Sequence, residues 1–423
     1  MTTPVLSIVV PVPNPGAEFS AAIVDLRREL DALGLPAEII VAGRDLDRML
    51  TELAGSQARV ATPSAPGYGS ALRAGFEAAA GDYVVTVDAE CRDAASAVRD
   101  LWNSRTGGEI VVASRYVAGA RTKMSMLRRA ASRVINTAFG RGLSLPVTDV
   151  SSPFQLYRRD VLQELRLSAH DYDLLPEILV RALAGGWHVH EIPLRVDLAR
   201  RDRSIRPLVR LAGSYGRTFG ALWQLRNSIQ AGDYDARAHD SIIPLQRYWQ
   251  RQRFKHITEL IAGQGAVLDV GCGSSKIISA LPPGSVALDV LPNKLRYARR
   301  YGKPLVRGSG FALPFADASF PCVLSSQVIE HVPMDSPIIS ELCRVLAPGG
   351  RLVLGTPDYD RWEWVYTEKA YGFFKPGGYA DEHIAHYTFK GLNEYFAARG
   401  YVHEATRYIL RGELILAFRK PAL

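Results

Sequence analysis

The sequence predicts two α/β domains in tandem, each a mostly parallel β-sheet with helices on both faces. Three observations lead there. The chain has 423 residues, more than a single hydrophobic core usually spans. From its start, short β-branched runs alternate with amphipathic helical stretches, the rhythm of βαβ units. That rhythm breaks once, at the polar and weakly periodic RNSIQAGDYDARAHD, 226–240, and then resumes. The break is predicted to be a linker between a first domain, 1–225, and a second, 241–423.

In the first domain SIVVPV, 7–12, reads as a strand ahead of a helix around 19–33. EIIVA, 38–42, and ARVAT, 58–62, are the next strands. A helix over 69–80, the strand YVVTV at 83–87 and the strand EIVVAS at 109–114 follow. A long basic helix is predicted near 124–141, and a helix at 174–186 leads into the alternating HVHEIPLRVD. In the second domain AVLDV (266–270), SVALDV (285–290), CVLSS (322–326) and RLVLGTP (351–357) read as four successive strands.

Composition is 47% hydrophobic and 22% charged, ordinary for a soluble globular chain. No run of about 18 uncharged apolar residues is present, so no spanning helix is expected. The opening MTTPVLSIVVPV lacks the basic region of a signal peptide. Cys91, Cys272, Cys322 and Cys343 show no CxxC spacing, which argues against a zinc framework and suits a cytoplasmic protein. Net charge is +8 and uneven: 115–133 holds six basic residues and no acid, and a second basic cluster, RRDRSIRPLVR, follows at 200–210. Such clusters suit phosphorylated substrates, nucleic acid or peripheral contact with anionic membrane.

Three constellations carry candidate chemistry. In VVTVDAECRD, 84–93, a strand ends on Asp88 and Glu90, one residue apart. Two like charges placed so close suit a divalent cation held by hard oxygen ligands, or an ordinary polar strand end. In VLDVGCGSS, 267–275, Gly271 and Gly273 form a tight turn directly after a strand, and Asp289 ends the next strand about twenty residues on. An acid there can accept hydrogen bonds from both hydroxyls of a ribose. His331 follows Glu330, and DEHIAHYT offers Glu382, His383 and His386; His331 and His383 are the foremost candidates for a general base near neutral pH.

The first 225 residues resemble glycosyltransferase family 2, with its Rossmann-like GT-A fold, and within it the polyprenyl-phosphate sugar transferases of the dolichyl-phosphate mannosyltransferase kind. SIVVPVPN, PGYGSALRAGFEAAAGDYVVTVDAE, SRYVAGAR, LRRAASRVIN and TDVSSPFQLYRRDVL carry the resemblance. It implies that Asp88 and Glu90 form the D-x-D element, holding Mg²⁺ or Mn²⁺ against the diphosphate of a nucleotide sugar. It further implies that Arg115, Arg128 and Ser132, with a second loop of Arg201, Ser204 and Arg206, hold donor and acceptor phosphates. Asp149 matches an acid on the acceptor side, and Pro11 and Asn14 belong to the nucleotide motif. The chain departs from the family where Pro13 and Pro15 replace Tyr and Glu, where Gly43 and Arg44 replace an acidic turn, and at Glu90 itself.

Residues 240–423 resemble the class I S-adenosylmethionine-dependent methyltransferases, also Rossmann-like, through VLDVGCGSS, LPFADASF, SSQVIEHV and ELCRVLAPGGRLVLGTP. By that resemblance Asp269, Gly271 and Gly273 line the methionine part of the cofactor, Asp289 takes the ribose and Leu313 lies near the adenine. Ser309 and Pro321 stand where the family often has acids. Together the two halves imply a bifunctional transferase. One moves a sugar from a nucleotide sugar to a polyprenyl phosphate or another lipid or glycan acceptor. The other methylates a glycan, lipid or related small molecule. The alternative is a methyltransferase carrying a degenerate, non-catalytic glycosyltransferase-like binding domain. No nucleic-acid partner is expected, because the basic clusters fall at glycosyltransferase positions and the second half carries no nucleic-acid-binding motif.

Overall fold

The computed structural model describes residues 4–12, 19–32, 34, 36–44, 46, 57–88, 94–196, 206–374 and 383–422. The chain divides into two compact units, Met1–Leu183 with Trp187–Arg226, and Ala184–Gly186 with Asn227–Leu423. Of the stretch read as a linker, residues from Asn227 onward therefore count with the second unit. Within it Tyr234–His239 is a helix that buries Tyr234, Ala236 and Ala238.

The first unit is built on a seven-stranded sheet. Its strands are β1 (Leu6–Val12), β2 (Ala37–Gly43), β3 (Arg59–Ala61), β4 (Tyr83–Thr86), β5 (Ile110–Ser114), β6 (Gln155–Arg158) and β7 (Val189–Pro193), in the order β3-β2-β1-β4-β6-β5-β7. All neighbours run parallel except β6, which is antiparallel to both β4 and β5. The sequence reading missed β6: it is four residues long and sits among polar residues, so no alternation marks it. Both faces of the sheet are covered, which is why its strands read as near-continuous apolar runs. Along β1, Leu6, Ile8, Val10 and Val12 pack with Ile23, Leu26 and Leu30 of the helix Phe19–Ala32. Val9 points the other way, into a core with Leu72, Leu174 and Ile178.

The second unit has its own seven-stranded sheet. It comprises β8 (Val267–Val270), β9 (Val286–Asp289), β10 (Leu305–Arg307), β11 (Phe320–Ser326), β12 (Leu346–Pro357), β13 (Val402–Ile409) and β14 (Glu413–Arg419), in the order β10-β9-β8-β11-β12-β14-β13. The first five are parallel, while β14 runs antiparallel to β12 and to β13. The closing hairpin carries no short-turn signature of the Asn-Gly kind. Leu410 and Arg411 adopt left-handed φ of 46° and 59° at its tip instead. In each sheet the chain first adds strands to one side and then crosses to the other, between β1 and β4 and between β8 and β11. Ligands of open α/β sheets bind beyond the carboxyl ends of the strands at such switch points.

Candidate functional site

In the first unit Asp88 lies two residues past the end of β4, and Val87 N–H donates to Val9 O of β1 at 3.2 Å. The acid is thereby set at the carboxyl edge, beside the segment of β1 that contains Pro11. Gly43 lies opposite Val12, and a Cβ there would come within 2.4 Å of Val12 O, so this departure from the family turn is what lets the two strand ends close together. Glu90, Asn14, Arg201 and Ser204 fall outside the described residues, as do the side chains of Arg128 and Arg206. Tyr68 is buried against the same region, stacked on Tyr172 at 4.2 Å, and its hydroxyl has no hydrogen-bond partner among the described residues. Burial first, then neighbouring Tyr172 and after it Asp88, raises its pKa well above the ordinary value.

Arg115, Ser132 and Asp149, read as residues of a phosphate and acceptor site, do come together, but bound to one another. Asp149 is fully buried and accepts from Arg115 through the backbone N–H (2.9 Å), Nε (2.7 Å) and Nη2 (2.6 Å). Arg115 Nη2 also donates to Ser151 Oγ at 2.7 Å, and Ser151 Oγ lies 3.1 Å from Ser132 Oγ. Asn136 completes the cluster, donating to Asp149 Oδ1 at 3.2 Å and accepting from Val150 N–H at 3.0 Å. Burial works against the Arg115 charge, yet Asp149 holds the guanidinium pKa above its usual value. The Arg115 side chain, 4% exposed and forked onto a carboxylate, forms a clamp that joins the end of β5 to the segment before β6.

In the second unit the glycine turn folds over the end of β9. Gly271 and Cys272 N–H donate to Leu288 O at 2.8 and 3.0 Å. Gly273 N–H donates to Asp289 Oδ2 at 2.8 Å, and Leu291 N–H to Asp289 Oδ1 at 2.8 Å. Both glycines are left-handed, with φ of 74° and 56°. The space a Cβ would need is taken by the protein itself, Val328 Cγ2 at 2.3 Å from that of Gly271 and Asp235 Oδ2 at 2.5 Å from that of Gly273. The glycines thus serve first the turn and its packing, and only through it any ligand. Asp235 anchors the turn, accepting from Ser274 N–H at 3.0 Å and Lys294 Nζ at 2.7 Å. Sequence reasoning missed it inside the supposed linker, although the acid-rich GDYDARAHD was a signal. Asp269 is 4% exposed, and its pKa is pushed up to about 7 by burial and then by neighbouring Asp289. Gly308 N–H donates to Asp289 O at 3.1 Å, bringing the loop with Ser309 and buried Leu313 to the same edge.

Beyond β11 and β12 lies a second group. Gln327 is left-handed at φ 59°, a strained conformation for a residue with a side chain. Ser325 Oγ, Ser326 Oγ, Gln327 Nε2, both oxygens of Glu330, Thr356 Oγ1 and Tyr387 OH are buried without a hydrogen-bond partner among the described residues. Burial pushes the Glu330 pKa up to about 8. Ile384 and Ala385 N–H donate to Glu330 O at 2.9 and 3.1 Å, which carries His383 to His331; the ring centroids are 4.9 Å apart. His383 Nδ1 lies 2.8 Å from Glu368 Oε1 and 3.0 Å from Tyr359 OH. His386 is exposed and stacks on Tyr359 at 4.0 Å, and Glu382 is outside the described residues. Tyr359 and Glu368 sit in no recognisable motif, so only packing reveals them.

The two sheet orders, each with its switch point, are those of a GT-A-like fold followed by a class I methyltransferase fold. Residues 7–166 match the family model for glycosyl transferase family 2, and 268–354 match that for a methyltransferase domain. One region of the chain is thus similar to each of these two families. It is 38% identical over 128 residues to an uncharacterized methyltransferase of Mycobacterium marinum, covering 29% of this chain and 48% of that protein. It is 34% identical over 128 residues to the malonyl-[acyl-carrier protein] O-methyltransferase of Methylococcus capsulatus, covering 28% and 46%. The chain therefore spans about half the length of these curated relatives. Among solved structures it is similar to glucosyl-3-phosphoglycerate synthase of Mycobacterium tuberculosis (TM-score 0.42, 19% identity, 52% of this chain and 81% of that one). It is also similar to the YcgJ protein of Bacillus subtilis (TM-score 0.34, 13% identity, 41% and 100%).

Proposed function

We propose that the chain is a bifunctional transferase whose first unit moves a sugar from a nucleotide sugar to a polyprenyl phosphate and whose second unit methylates a glycan or lipid head group. The observation that carries this reading is the pairing of two matched transferase families, each with a carboxylate at the carboxyl edge of its central strands. In the first unit Asp88, with Glu90, would hold Mg²⁺ or Mn²⁺, and such an ion would neutralise charge on a departing nucleoside diphosphate. A lipid phosphate is already ionised, so no strong base is required of this unit. The expected result is sugar transfer that needs the divalent ion and falls by more than about tenfold in Asp88→Asn, which keeps the shape and removes a ligand charge. The assay is a screen of UDP-, GDP- and dTDP-sugars with purified protein, with and without Mn²⁺. Wild-type protein inactive with every donor would leave the first unit as a binding module.

In the second unit S-adenosylmethionine, when bound, would supply an electrophilic methyl group. Asp289 has two of its roughly four lone-pair sites taken by Gly273 and Leu291 N–H, leaving capacity for two ribose hydroxyls. Asp269 would balance the positive charge of the ligand. With Nδ1 of His383 donating to Glu368, Nε2 is the basic nitrogen, suited with His331 to take a proton from an acceptor hydroxyl. The partly unpartnered polar group around Gln327 and Thr356 suits an oxygen-rich acceptor.

Membrane contact fits the same acceptor. No helix among the described residues is long and apolar enough to cross a membrane. The helix Met126–Gly142 exposes Arg129 and Arg133 beside Met126 (89% exposed) and Val134 (69%). Each basic residue near an anionic surface contributes about 1 kcal/mol, screened by salt. Sedimentation is expected with anionic vesicles at low salt and not with neutral ones; equal, salt-insensitive binding to both would remove the electrostatic part of this reading.

A further inference from the structure

We propose that Glu330, His331 and His383 form a binding site for one divalent first-row transition ion, separate from the carboxylate pair of the first unit; with the ion bound, the two imidazoles act as its ligands in place of the proton-accepting role given them above. The ligand atoms of the three residues all lie within 4.8 Å of one another. Bonds of about 2.0–2.2 Å around such an ion bring ligand atoms to within about 4 Å, so small side-chain rotations close the set. The second, independent observation is Glu330 itself. It is 0% exposed, and neither carboxylate oxygen has a hydrogen-bond partner among the described residues. A buried carboxylate in that condition is costly unless a cation balances it.

The surroundings have the form of a metal centre's outer shell. Ligating histidines usually donate their second ring nitrogen to a carboxylate, which orients the ring and sharpens the other nitrogen as a ligand. His383 does this: Glu368 Oε1 stands 2.8 Å from Nδ1, Tyr359 OH also donates to Glu368 at 2.8 Å, and the His383 side chain is only 3% exposed. The backbone contributes too, since Ile384 and Ala385 N–H both grip Glu330 O and hold the two ligand-bearing segments together. Two imidazoles and one carboxylate favour zinc, manganese, iron or cobalt over magnesium or calcium, and three protein ligands leave positions open to oxygen-bearing molecules.

The test uses the untagged 423-residue Asp88→Asn chain, so that the first unit's carboxylate pair does not add a second metal. Titration with zinc chloride is expected to show one site per chain, and cobalt chloride a visible absorption band. Glu330→Gln and His383→Ala each weaken zinc by more than about tenfold and abolish the cobalt band, while Glu368→Gln, which touches no metal, weakens binding about ten- to a hundredfold. Thermal melts separate binding from folding. Without metal, Glu330→Gln melts no lower than its parent, because an amide of the same shape replaces a buried acid whose oxygens have no hydrogen-bond partner among the described residues. With zinc, only the parent gains melting temperature, as binding to the folded state alone requires. The proposal is overturned by the absence of a saturable site, by a site indifferent to Glu330→Gln and His383→Ala, or by a metal-free Glu330→Gln chain that melts well below its parent. That last result would make Glu330 a structural, hydrogen-bonded acid.

Discussion

Asp149→Asn is expected to destabilise the first unit by about 3–5 kcal/mol, a large part of the stability of any domain. The substitution keeps the shape of the side chain and removes its charge. Arg115 then remains buried, its side chain 4% exposed, with its fork aimed at a neutral amide that can accept at only one atom. The loss would spread, because Asn136 and Ser151 also donate to Asp149 Oδ1. Chemical denaturation followed by a probe in the first unit is the measurement. The double variant Arg115→Met, Asp149→Leu is expected to recover much of the loss, since replacing both members of a buried ion pair with apolar groups is far cheaper than orphaning one. An Asp149→Asn chain that unfolds at the wild-type midpoint would mean that Arg115 reaches water on losing its partner and that the clamp adds nothing.

Asp289→Ala is expected to weaken S-adenosylmethionine binding about ten- to a hundredfold, from charge-assisted hydrogen bonds worth roughly 1.5–3 kcal/mol. Two effects combine: the ribose loses its acceptor, and Gly273 N–H loses the oxygen that holds the turn at 2.8 Å. Proton linkage provides a second, sharper readout. Asp269 has its pKa raised to about 7, by burial first and then by Asp289. A cationic ligand favours the ionised carboxylate, so affinity is expected to rise as pH rises through about 7 and to level off above it. Removing Asp289 removes a like charge, so in Asp289→Ala this inflection moves to lower pH, while Asp269→Asn binds weakly with no inflection from this group. Calorimetric titration from acid to alkaline pH checks all three. Unchanged affinity in Asp289→Ala would discard the ribose assignment.

Much of the fold was legible because its signals are local. A parallel sheet buried on both faces writes itself as runs such as SIVVPV and AVLDV, and a glycine turn between strand and acid places Gly271, Gly273 and Asp289 together without further information. The placement of Asp88 at a strand end is equally local. Elements without local marks escaped: β6, only four residues among polar neighbours, and the hairpin of β13 and β14, whose tip is Leu-Arg instead of a turn pair. The stretch 226–240 looked like a linker because its few apolar residues are spaced too sparsely to show a period; packing turns Tyr234, Ala236 and Ala238 inward and delivers Asp235 to the glycine turn.

By itself, then, the sequence determined two α/β units, their central strands and the acids at the ends of those strands. Tertiary structure alone decided which charged groups face one another. Arg115 and Asp149 are 34 residues apart, and their residue types suit a phosphate site as well as an ion pair; only the closure of β5 against the segment before β6 selects the pair. Glu330 and His383 are similarly remote in sequence, and whether a histidine is a base, a ligand or a core residue depends on what stands within about 3 Å of its nitrogens. Chain periodicity reports burial, which is a property of each residue and its neighbours. Partner choice is a property of distances between segments, and those exist only once the sheets have closed.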